Sequence, residues 1–313
     1  MPVIAHLALL LCLVATPLAA RAESLAFRAG TWKTAQTIQP FLYERYSSGV
    51  KVEVFPFTNP GDQKAALLAG SLDITGTTLA LAIQAASRGE PVVLVAALCN
   101  KCSALVCRKD AGLASVADLK GRRVGYVPGT MHEILLREAL TREGLDPDKD
   151  VALVRVDFFD MGTALSKGDI DAFLSGEPLP TQAVQKGYGE IMAYPYFDES
   201  IGPINAGLIV RRDTIEKSPG QVAGMVAAHI RATKALQADR RLWLEDAAQR
   251  FGLDFALLEQ ASGNMELAWD MDDAFARQVA MLGARMKSLG MIEKEPDYGT
   301  LIDRRFVDAA RGM

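Results

Sequence analysis

Four short stretches rich in glycine, serine and threonine have the residue types that could hold a small anion or a carbonyl group. Each follows an apolar run and precedes a helix-like run, at residues 30–33 (GTWK), 76–78 (GTT), 128–130 (PGT) and 175–178 (SGEP). The first backbone amides of a helix have no partner inside the helix, and the helix dipole favours negative charge there. Helix starts of this kind bind carboxylates, sulfonates, nitrate or phosphate.

The PGT stretch also has an explanation that needs no ligand. Thr130 and Glu133 match the capping-box pattern Thr-x-x-Glu, in which the two side chains satisfy the free amides themselves. A single stretch of this kind favours self-capping, whereas four stretches that face one cleft favour binding.

Aromatic, acidic and basic residues near these stretches could contact the body of a ligand. The aromatic candidates are Trp32, Phe158, Phe159, Tyr194 and Tyr196, the acidic ones are Asp157, Asp160 and Glu177, and the basic ones are Lys33 and Lys101. Each also has a simpler explanation, which is core packing for an aromatic ring, a helix N-cap for Asp160 and a solvated charge for a lysine.

Three cysteines are clustered in the pattern C-x2-C-x4-C, formed by Cys99, Cys102 and Cys107. This spacing resembles a metal or redox cluster, but the only histidines beyond residue 22 are His132 and His229, and neither is adjacent. The simpler interpretation is one disulfide, or three small buried side chains, with an odd thiol left over.

No set of residues in the sequence indicates an enzyme. Gly121, Gly125 and Gly129 are spaced by four, which fits neither a dinucleotide fingerprint nor a Walker loop, and no HExxH or GxSxG motif is present. Two distant histidines offer little general-base capacity. We therefore expect no catalytic residue, no metal site and no cofactor. The formal net charge of −4 argues against a nucleic-acid partner.

Strand-like and helix-like runs alternate along the chain, which predicts an α/β fold. Strands are expected at 24–30, 50–57, 72–76, 91–98, 103–110, 122–127, 151–157, 169–176 and 204–213, with helices between them and only helices after them. Short apolar strands between amphipathic helices indicate mostly parallel sheets with helices on both faces. A chain of 313 residues suits two lobes of ordinary size.

Two segments echo each other and suggest that the lobes share one plan. "ALLAGSLDITG" (66–76) and "ALSKGDIDAFLSG" (164–176) both run from a helix through Gly and Asp into a strand that ends in Gly. The chain would then pass between the lobes twice, at 103–108 and 205–210. We expect these two strands to lie side by side as a hinge.

The N-terminus predicts export from the cytoplasm. An almost unbroken apolar run at 3–18 leads into Ala20-Arg21-Ala22, after which a signal peptidase could cut. A membrane anchor is the alternative, but the run is shorter than the roughly 20 residues that span a bilayer.

These features together resemble the periplasmic solute-binding proteins of ABC importers. The similarity is to the nitrate/sulfonate/taurine group, which includes the NMT1/THI5-like binders of thiamine-pyrimidine precursors. It is carried by the export segment and by "KAALLAGSLDITGTT", "SALVCRKDAGLASVADLKGRRVGYVPGT", "VDFFDMGTALSKGDIDAFLSGEP" and "NAGLIVRRD". The resemblance implies a two-lobed periplasmic binding protein type II fold, with a signal peptide at 1–22, lobe 1 at 23–103 plus 209–313, lobe 2 at 104–208, and two hinge strands between the lobes.

The resemblance also implies a set of ligand-binding residues. Carried over by position, these are Trp32, Thr77, Thr78, Gly129, Thr130, Met131, Glu177 and Asn205. The residues near the four stretches add Lys101, Cys102, Asp157 and Phe159 to the expected ligand-binding set, although the cysteine cluster is not a feature of the group. The implied function is capture of a sulfonate, taurine, nitrate or similar small ligand by lobe closure, and its delivery to an ABC permease of the inner membrane by a monomeric protein of the periplasm. The alternatives are a binder of a thiamine-pyrimidine precursor, a related pyrimidine-synthesis enzyme that would need a metal, and a sensory domain on the same fold.

Overall fold

The computed structural model describes residues 26–196 and 202–311 and has two β-sheets flanked by helices. The signal peptide expected at 1–22 lies outside the described residues. The α/β class with two mostly parallel sheets is confirmed, since one strand direction dominates in each sheet.

The first sheet has six strands in the order β11-β4-β10-β3-β1-β2. Its strands are β1 (Phe27–Trp32), β2 (Val52–Phe57), β3 (Ile74–Thr78), β4 (Val92–Lys101), β10 (Ile204–Arg211) and β11 (Met265–Leu267). Strand β1 is parallel to β2 and β3, whereas β10 runs antiparallel between β3 and β4, and β11 is antiparallel to β4.

The second sheet has five strands in the order β7-β6-β8-β5-β9. Its strands are β5 (Ser103–Arg108), β6 (Arg123–Tyr126), β7 (Ala152–Arg155), β8 (Ala172–Gly176) and β9 (Gly189–Ala193). Strand β6 is parallel to β7 and β8, and β5 runs antiparallel between β8 and β9.

Helices cover both sheets and fill the C-terminal third of the chain. They are α1 (Tyr43–Tyr46), α2 (Pro60–Leu68), α3 (Leu79–Ser87), α4 (Met131–Arg142), α5 (Met161–Lys167), α6 (Leu179–Gln185), α7 (Arg212–Lys217), α8 (Pro219–Ala238), α9 (Arg240–Phe251), α10 (Phe255–Ala261), α11 (Asp273–Ser288), α12 (Tyr298–Leu301) and α13 (Arg305–Ala310). Short 3-10 segments occur at Ala35–Thr37, Gln39–Leu42, Lys109–Ala111, Val116–Leu119, Phe158–Asp160 and Ser262–Asn264. Among the helices of the described residues, none combines the length and the apolar character that crossing a bilayer requires.

The two sheets follow one plan, as the sequence echo predicted. Each places its strands in the same relative order, with one antiparallel strand inserted beside the third strand. In both sheets an arginine on the first strand in chain order of the parallel set (β1 or β6) also pairs with an aspartate just before the third strand of that set (β3 or β8). In one sheet the Arg28 amide donates to Asp73 Oδ2 at 2.9 Å, and in the other the Arg123 amide donates to Asp171 Oδ2 at 3.0 Å.

The crossing strands do not lie side by side, which corrects one expectation. Strand β5 pairs with β8 and β9, and β10 pairs with β3 and β4, so each is the antiparallel strand of a different sheet. The chain changes sheet at Cys102 and again between β9 and β10. Residues 204–208, which the sequence analysis places in lobe 2, form the first part of β10 in the six-stranded sheet. The exact lobe limits remain a proposal.

Local structure departs from the sequence expectations in two other places. The segment 34–46 was expected to be a helix interrupted at Pro40, which lacks the amide that a continuous helix needs there. It forms only two 3-10 segments and the single turn of α1. Strands β9 and β11 were not expected, since 189–193 had no assignment and the region after 213 was expected to be entirely helical.

Candidate ligand-binding cavity

A cavity lies between the two sheets and is lined from both of them. Its first-sheet side is formed by Trp32, Thr34, Gln36, Thr37, Thr58, Pro60, Thr78, Cys99, Asn205 and Ala206, its second-sheet side by Val127, Thr130, His132, Phe158 and Phe159, and its floor by Cys102, where the chain changes sheet. The cavity volume is about 60 Å³. One water needs about 10–15 Å³ on the same measure, so the space suits a guest of a few heavy atoms.

Gln36 connects the two sides of the cavity. It lies in the 3-10 turn that follows β1, and its Nε2 donates to the Glu177 carbonyl at 3.2 Å, which belongs to the loop after β8. This contact fixes the orientation of the amide, because a carbonyl oxygen accepts only from the nitrogen. The other end, Gln36 Oε1, is buried and has no hydrogen-bond partner in the described chain.

Asn205 and Cys102 form the floor at the first crossing. Lys101 and Cys102 have left-handed φ angles of 57° and 74°, which are uncommon for residues with a Cβ. Asn205 Nδ2 donates to the Lys101 carbonyl at 2.6 Å and lies 3.0 Å from Cys102 Sγ. The Asn205 amide therefore helps to stabilise this turn, and its Oδ1 forms no hydrogen bond within residues 26–196 and 202–311.

The start of α4 is the helix start expected from the PGT stretch. Thr130 is at its N-cap but makes no capping bond, and its hydroxyl instead donates to the Val127 carbonyl at 2.7 Å. Glu133 Oε2 accepts from the Gly129 amide at 2.7 Å, and Glu133 Oε1 pairs with Arg137 at 3.0 Å. The expected capping box is thus only half formed: the glutamate reaches back, while the threonine does not cap.

His132 is held against the second sheet. Its Nδ1 lies 3.0 Å from Ser103 Oγ, and its ring lies 6.4 Å from that of Phe158. A Cβ on Gly176 would come within 3.2 Å of His132 and 3.3 Å of Phe158, so glycine at this strand end lets both rings pack. Complete burial lowers the His132 pKa to about 4, which keeps the ring neutral at pH 7.

Trp32 and Phe159 form the aromatic part of the lining. Trp32 ends β1 rather than lying in a turn, and its ring packs over Gly76. A Cβ at Gly76 would lie 3.6 Å from the ring but only 2.6 Å from Leu98 Cδ2, so any larger residue would require the Leu98 side chain to move. Phe159 stacks edge-on against Phe158 at 5.0 Å and is 43% exposed at the cavity mouth.

The three cysteines are free thiols and all are buried. The sequence left two simpler interpretations open, one disulfide or three small buried side chains, and the structure shows the second. Cys99 and Cys102 line the cavity, whereas Cys107 Sγ faces the Leu113 carbonyl at 3.8 Å. Burial raises the pKa of Cys99 to about 12 and also raises the pKa of Cys102, so both thiols are protonated at neutral pH. In the part of the chain that the structure describes, no group of three or more His, Cys, Asp or Glu residues could hold a metal ion.

The structure brings half of the expected site residues together. Those that line the cavity are Trp32, Thr78, Cys102, Thr130, Phe159 and Asn205.

The other six lie outside the lining. Thr77 is buried in β3 with an unpartnered hydroxyl, and Lys101 pairs with Glu266 at 3.1 Å. Gly129 and Met131 flank Thr130 in the chain, and Asp157 is exposed. Glu177 is buried, and its carbonyl accepts from Gln36. The Glu177 carboxylate accepts from the Thr181 amide at 3.1 Å, and burial raises its pKa.

Sequence reasoning missed the polar side chains that follow β1. Thr34, Gln36 and Thr37 line the cavity, although the segment was expected only to be a helix interrupted by Pro40. The available signal was its proximity to the GTWK stretch.

Comparison with known proteins places these features in context. A family model described as NMT1-like matches residues 7–251. A putative binding protein of Brucella abortus (strain 2308) is 28% identical over 82% of this chain and 82% of its own length. The 4-amino-5-hydroxymethyl-2-methylpyrimidine phosphate synthase of Schizosaccharomyces pombe is 32% identical, but over only 41% of this chain and 36% of its own.

Two solved structures show the same fold at low sequence identity. The alkanesulfonate-binding protein SsuA of Xanthomonas axonopodis pv. citri, bound to MOPS, has a TM-score of 0.79 at 19% identity and covers 89% of this chain and 98% of its own. The periplasmic nitrate-binding protein NrtA of Synechocystis PCC 6803 has a TM-score of 0.75 at 15% identity, with coverage of 93% and 89%. The two-lobed fold expected from the sequence is therefore shown.

Proposed function

Since the chain belongs to the NMT1-like family, we propose that it is the solute-binding component of an ABC importer. The observation that carries this proposal is the cavity between the two sheets, because its lining comes from both lobes and a guest there would be enclosed when they meet. The protein breaks no bond. It captures a small ligand and presents it to a permease.

Contacts across the cleft support closure as the mode of capture. Besides the bond from Gln36 to Glu177, Arg285 of α11 donates to Glu138 of α4 at 2.7 Å, and Gln185 of α6 donates to Gln260 of α10 at 2.8 Å. These polar contacts join elements of different sheets and can break and re-form as the lobes rotate. Hinged closure around a ligand uses small rearrangements at the crossing segments, of which the described residues include Cys102.

The setting of this function is the periplasm. We propose a signal peptide at 1–22, lobes at 23–103 plus 209–313 and at 104–208, a monomer in solution, and an ABC permease of the inner membrane as partner. The names of the similar structures, a sulfonate-binding and a nitrate-binding periplasmic protein, support this setting.

Two ligand classes fit the function. The sequence offers residues for both, and the family resemblance implies a sulfonate, taurine or nitrate ligand, in line with the names of those structures. The alternative is a thiamine-pyrimidine precursor, which the partial match to a pyrimidine phosphate synthase supports. A related synthase activity would need a metal, and iron and zinc analysis of the purified protein tests it.

Calorimetric titration tests the proposed function. The ligands are taurine, alkanesulfonates, nitrate, a formyl-aminopyrimidine and a small-molecule extract of bacterial medium. We expect heat of binding from at least one of them, with the ligand recovered unchanged. Trp32→Ala should weaken that binding about tenfold or more, because the ring forms a wall of the cavity.

Trp269→Ala is the matched control. Trp269 is partly buried outside the cavity, with Lys234 Nζ 5.1 Å from its ring centroid. Its loss should change stability but leave ligand affinity unaltered. Equal affinity in the wild type and in Trp32→Ala, or chemical turnover of the ligand, would contradict the proposal.

A further inference from the structure

The cavity contains no charged side chain. Among the described residues that line it there is no Lys, Arg, Asp or Glu, and its single histidine, His132, is buried and forms a neutral contact with Ser103. Lys101, next to Cys102, pairs with Glu266, and Lys33 lies in a neighbouring surface pocket that shares Thr58 and Phe159 with the cavity. An anion held here would therefore meet no cationic side chain in the lining.

Three polar side chains of the cavity direct their donors to the protein, whereas the Thr58 and Thr78 hydroxyls donate to no acceptor within the described ranges. Gln36 Nε2 donates to the Glu177 carbonyl, Asn205 Nδ2 to the Lys101 carbonyl, and Thr130 Oγ1 to the Val127 carbonyl. What these groups leave for a guest are acceptors. Gln36 Oε1 is the clearest, because Gln36 is only 5% exposed and this atom has no partner within the described ranges. A buried acceptor without a partner is unfavourable unless a guest supplies a donor.

The three helices of nine or more residues that start at the cavity are already occupied at their N-termini. Asn59 Oδ1 accepts from the Gly61 amide at 2.7 Å and caps α2, whose first residue, Pro60, lines the cavity. The Thr78 hydroxyl accepts from the Leu81 amide at 3.2 Å and caps α3. At α4 the carboxylate of Glu133 lies 2.7 Å from the Gly129 amide. A carboxylate at this position offsets the positive end of the helix dipole and repels a second anion.

We propose that the ligand is an uncharged small molecule with N–H or O–H donors, of the amide, urea or amino-heterocycle class, and that Gln36 Oε1 accepts one of those donors. This inference rests on the proposed function, and it narrows the ligand choice against the oxyanion class. The aromatic rings of Trp32 and Phe159 then contact the body of a neutral, planar guest.

Fractionation by charge tests the class of ligand. A small-molecule extract of yeast is passed at pH 7 through a mixed-bed ion exchanger, which retains anions, cations and zwitterions such as taurine. The unretained fraction and the fraction eluted with a volatile salt are each added to dialysed protein, and thermal unfolding is measured. Stabilisation confined to the unretained fraction is the expected result. Stabilisation by the retained fraction overturns this inference and leaves the proposed function standing, whereas stabilisation by neither contradicts both.

Two glutamine variants test the role of Gln36. Gln36→Met keeps the shape but removes the acceptor, and should lower affinity for the active fraction about 10- to 100-fold, because the ligand donor then has no partner. Gln39→Met is the matched control. Gln39 lies three residues on, donates to the Leu98 carbonyl at 2.9 Å, and likewise has a buried Oε1 without a partner, but it does not line the cavity. Affinity equal to that of the wild type in Gln36→Met would overturn the assignment.

Discussion

At the residue scale, the cavity depends on side chains that are neutral because they are buried. His132 faces the cavity and His229 lies in the core, where its Nδ1 contacts the Tyr43 hydroxyl at 3.1 Å and its Nε2 the Ala97 carbonyl at 2.8 Å. Burial lowers the pKa of both rings to about 4. Desolvation disfavours the charged form of each ring, so the cavity and the core stay free of positive charge at neutral pH.

This neutrality predicts a pH dependence of stability. An unfolded histidine binds a proton near its ordinary pKa of 6.5, whereas folded His132 does so only near 4. Stability is therefore unaffected above pH 6.5 and falls as the pH drops from 6.5 towards 4. Between pH 7 and pH 5 the loss from this one group is about 2 kcal/mol. His132→Gln should lose that much less over the same interval in urea unfolding of the ligand-free protein.

His229→Gln provides the comparison for that experiment. It should flatten the pH dependence by a similar amount, since its pKa is lowered to the same extent, yet leave ligand binding unchanged because it is remote from the cavity. If His132→Gln retains the full wild-type loss between pH 7 and pH 5, the ring is not buried as the structure describes.

At the element scale, each sheet is fixed by an arginine–aspartate pair at equivalent positions. Asp171 accepts from the Arg123 amide at 3.0 Å and from its guanidinium at 2.8 and 3.1 Å, and Asp73 holds Arg28 in the same way. Hydrogen bonds from Arg123 hold the pKa of Asp171 below its usual range. In each sheet the pair connects the first strand (β1 or β6) to the loop that leads into the third (β3 or β8).

Removal of Asp171 should destabilise the second sheet. The Arg123 side chain is 45% exposed, so solvent screens the ion pair and most of the effect comes from the lost backbone acceptor. We expect Asp171→Ala to lower the free energy of unfolding by about 1–3 kcal/mol, and Asp171→Asn, which keeps an acceptor, to lower it by less. Urea unfolding measures both.

As a control, Asp110→Ala removes a carboxylate that is 78% exposed and pairs with Arg108, and it should change stability by less than about 0.5 kcal/mol. Equal stability of Asp171→Ala and wild type would contradict this role.

The sequence predicted most of the elements because their patterns are local. Buried strands such as β4 and β8 are largely apolar runs, and the Gly-Asp echo marks the third strand of each sheet (β3 and β8). Strands β9 and β11 escaped prediction because they have only five and three residues, so their pairing is determined by neighbours distant in sequence. The same limit applies to the cavity. Which polar group of Gln36 faces a guest depends on a carbonyl 141 residues away.

At the scale of the whole molecule, the account rests on one enclosed space between two lobes of the same design. Each lobe contributes its own sheet, and the antiparallel strand of each follows directly after a crossing between the sheets. Polar contacts between the lobes close the cavity, beside a buried apolar cluster that also contains residues of both lobes. Admission of a ligand by the proposed hinge rotation would require the polar contacts to break and re-form.

The most direct measurement of this claim is a crystal structure of the protein with the stabilising fraction bound. The account predicts a single small guest between Trp32 and Phe159, in contact with both lobes, and with a donor atom within about 3.2 Å of Gln36 Oε1. Density for the guest on the outer surface, or in contact with one lobe only, would contradict it.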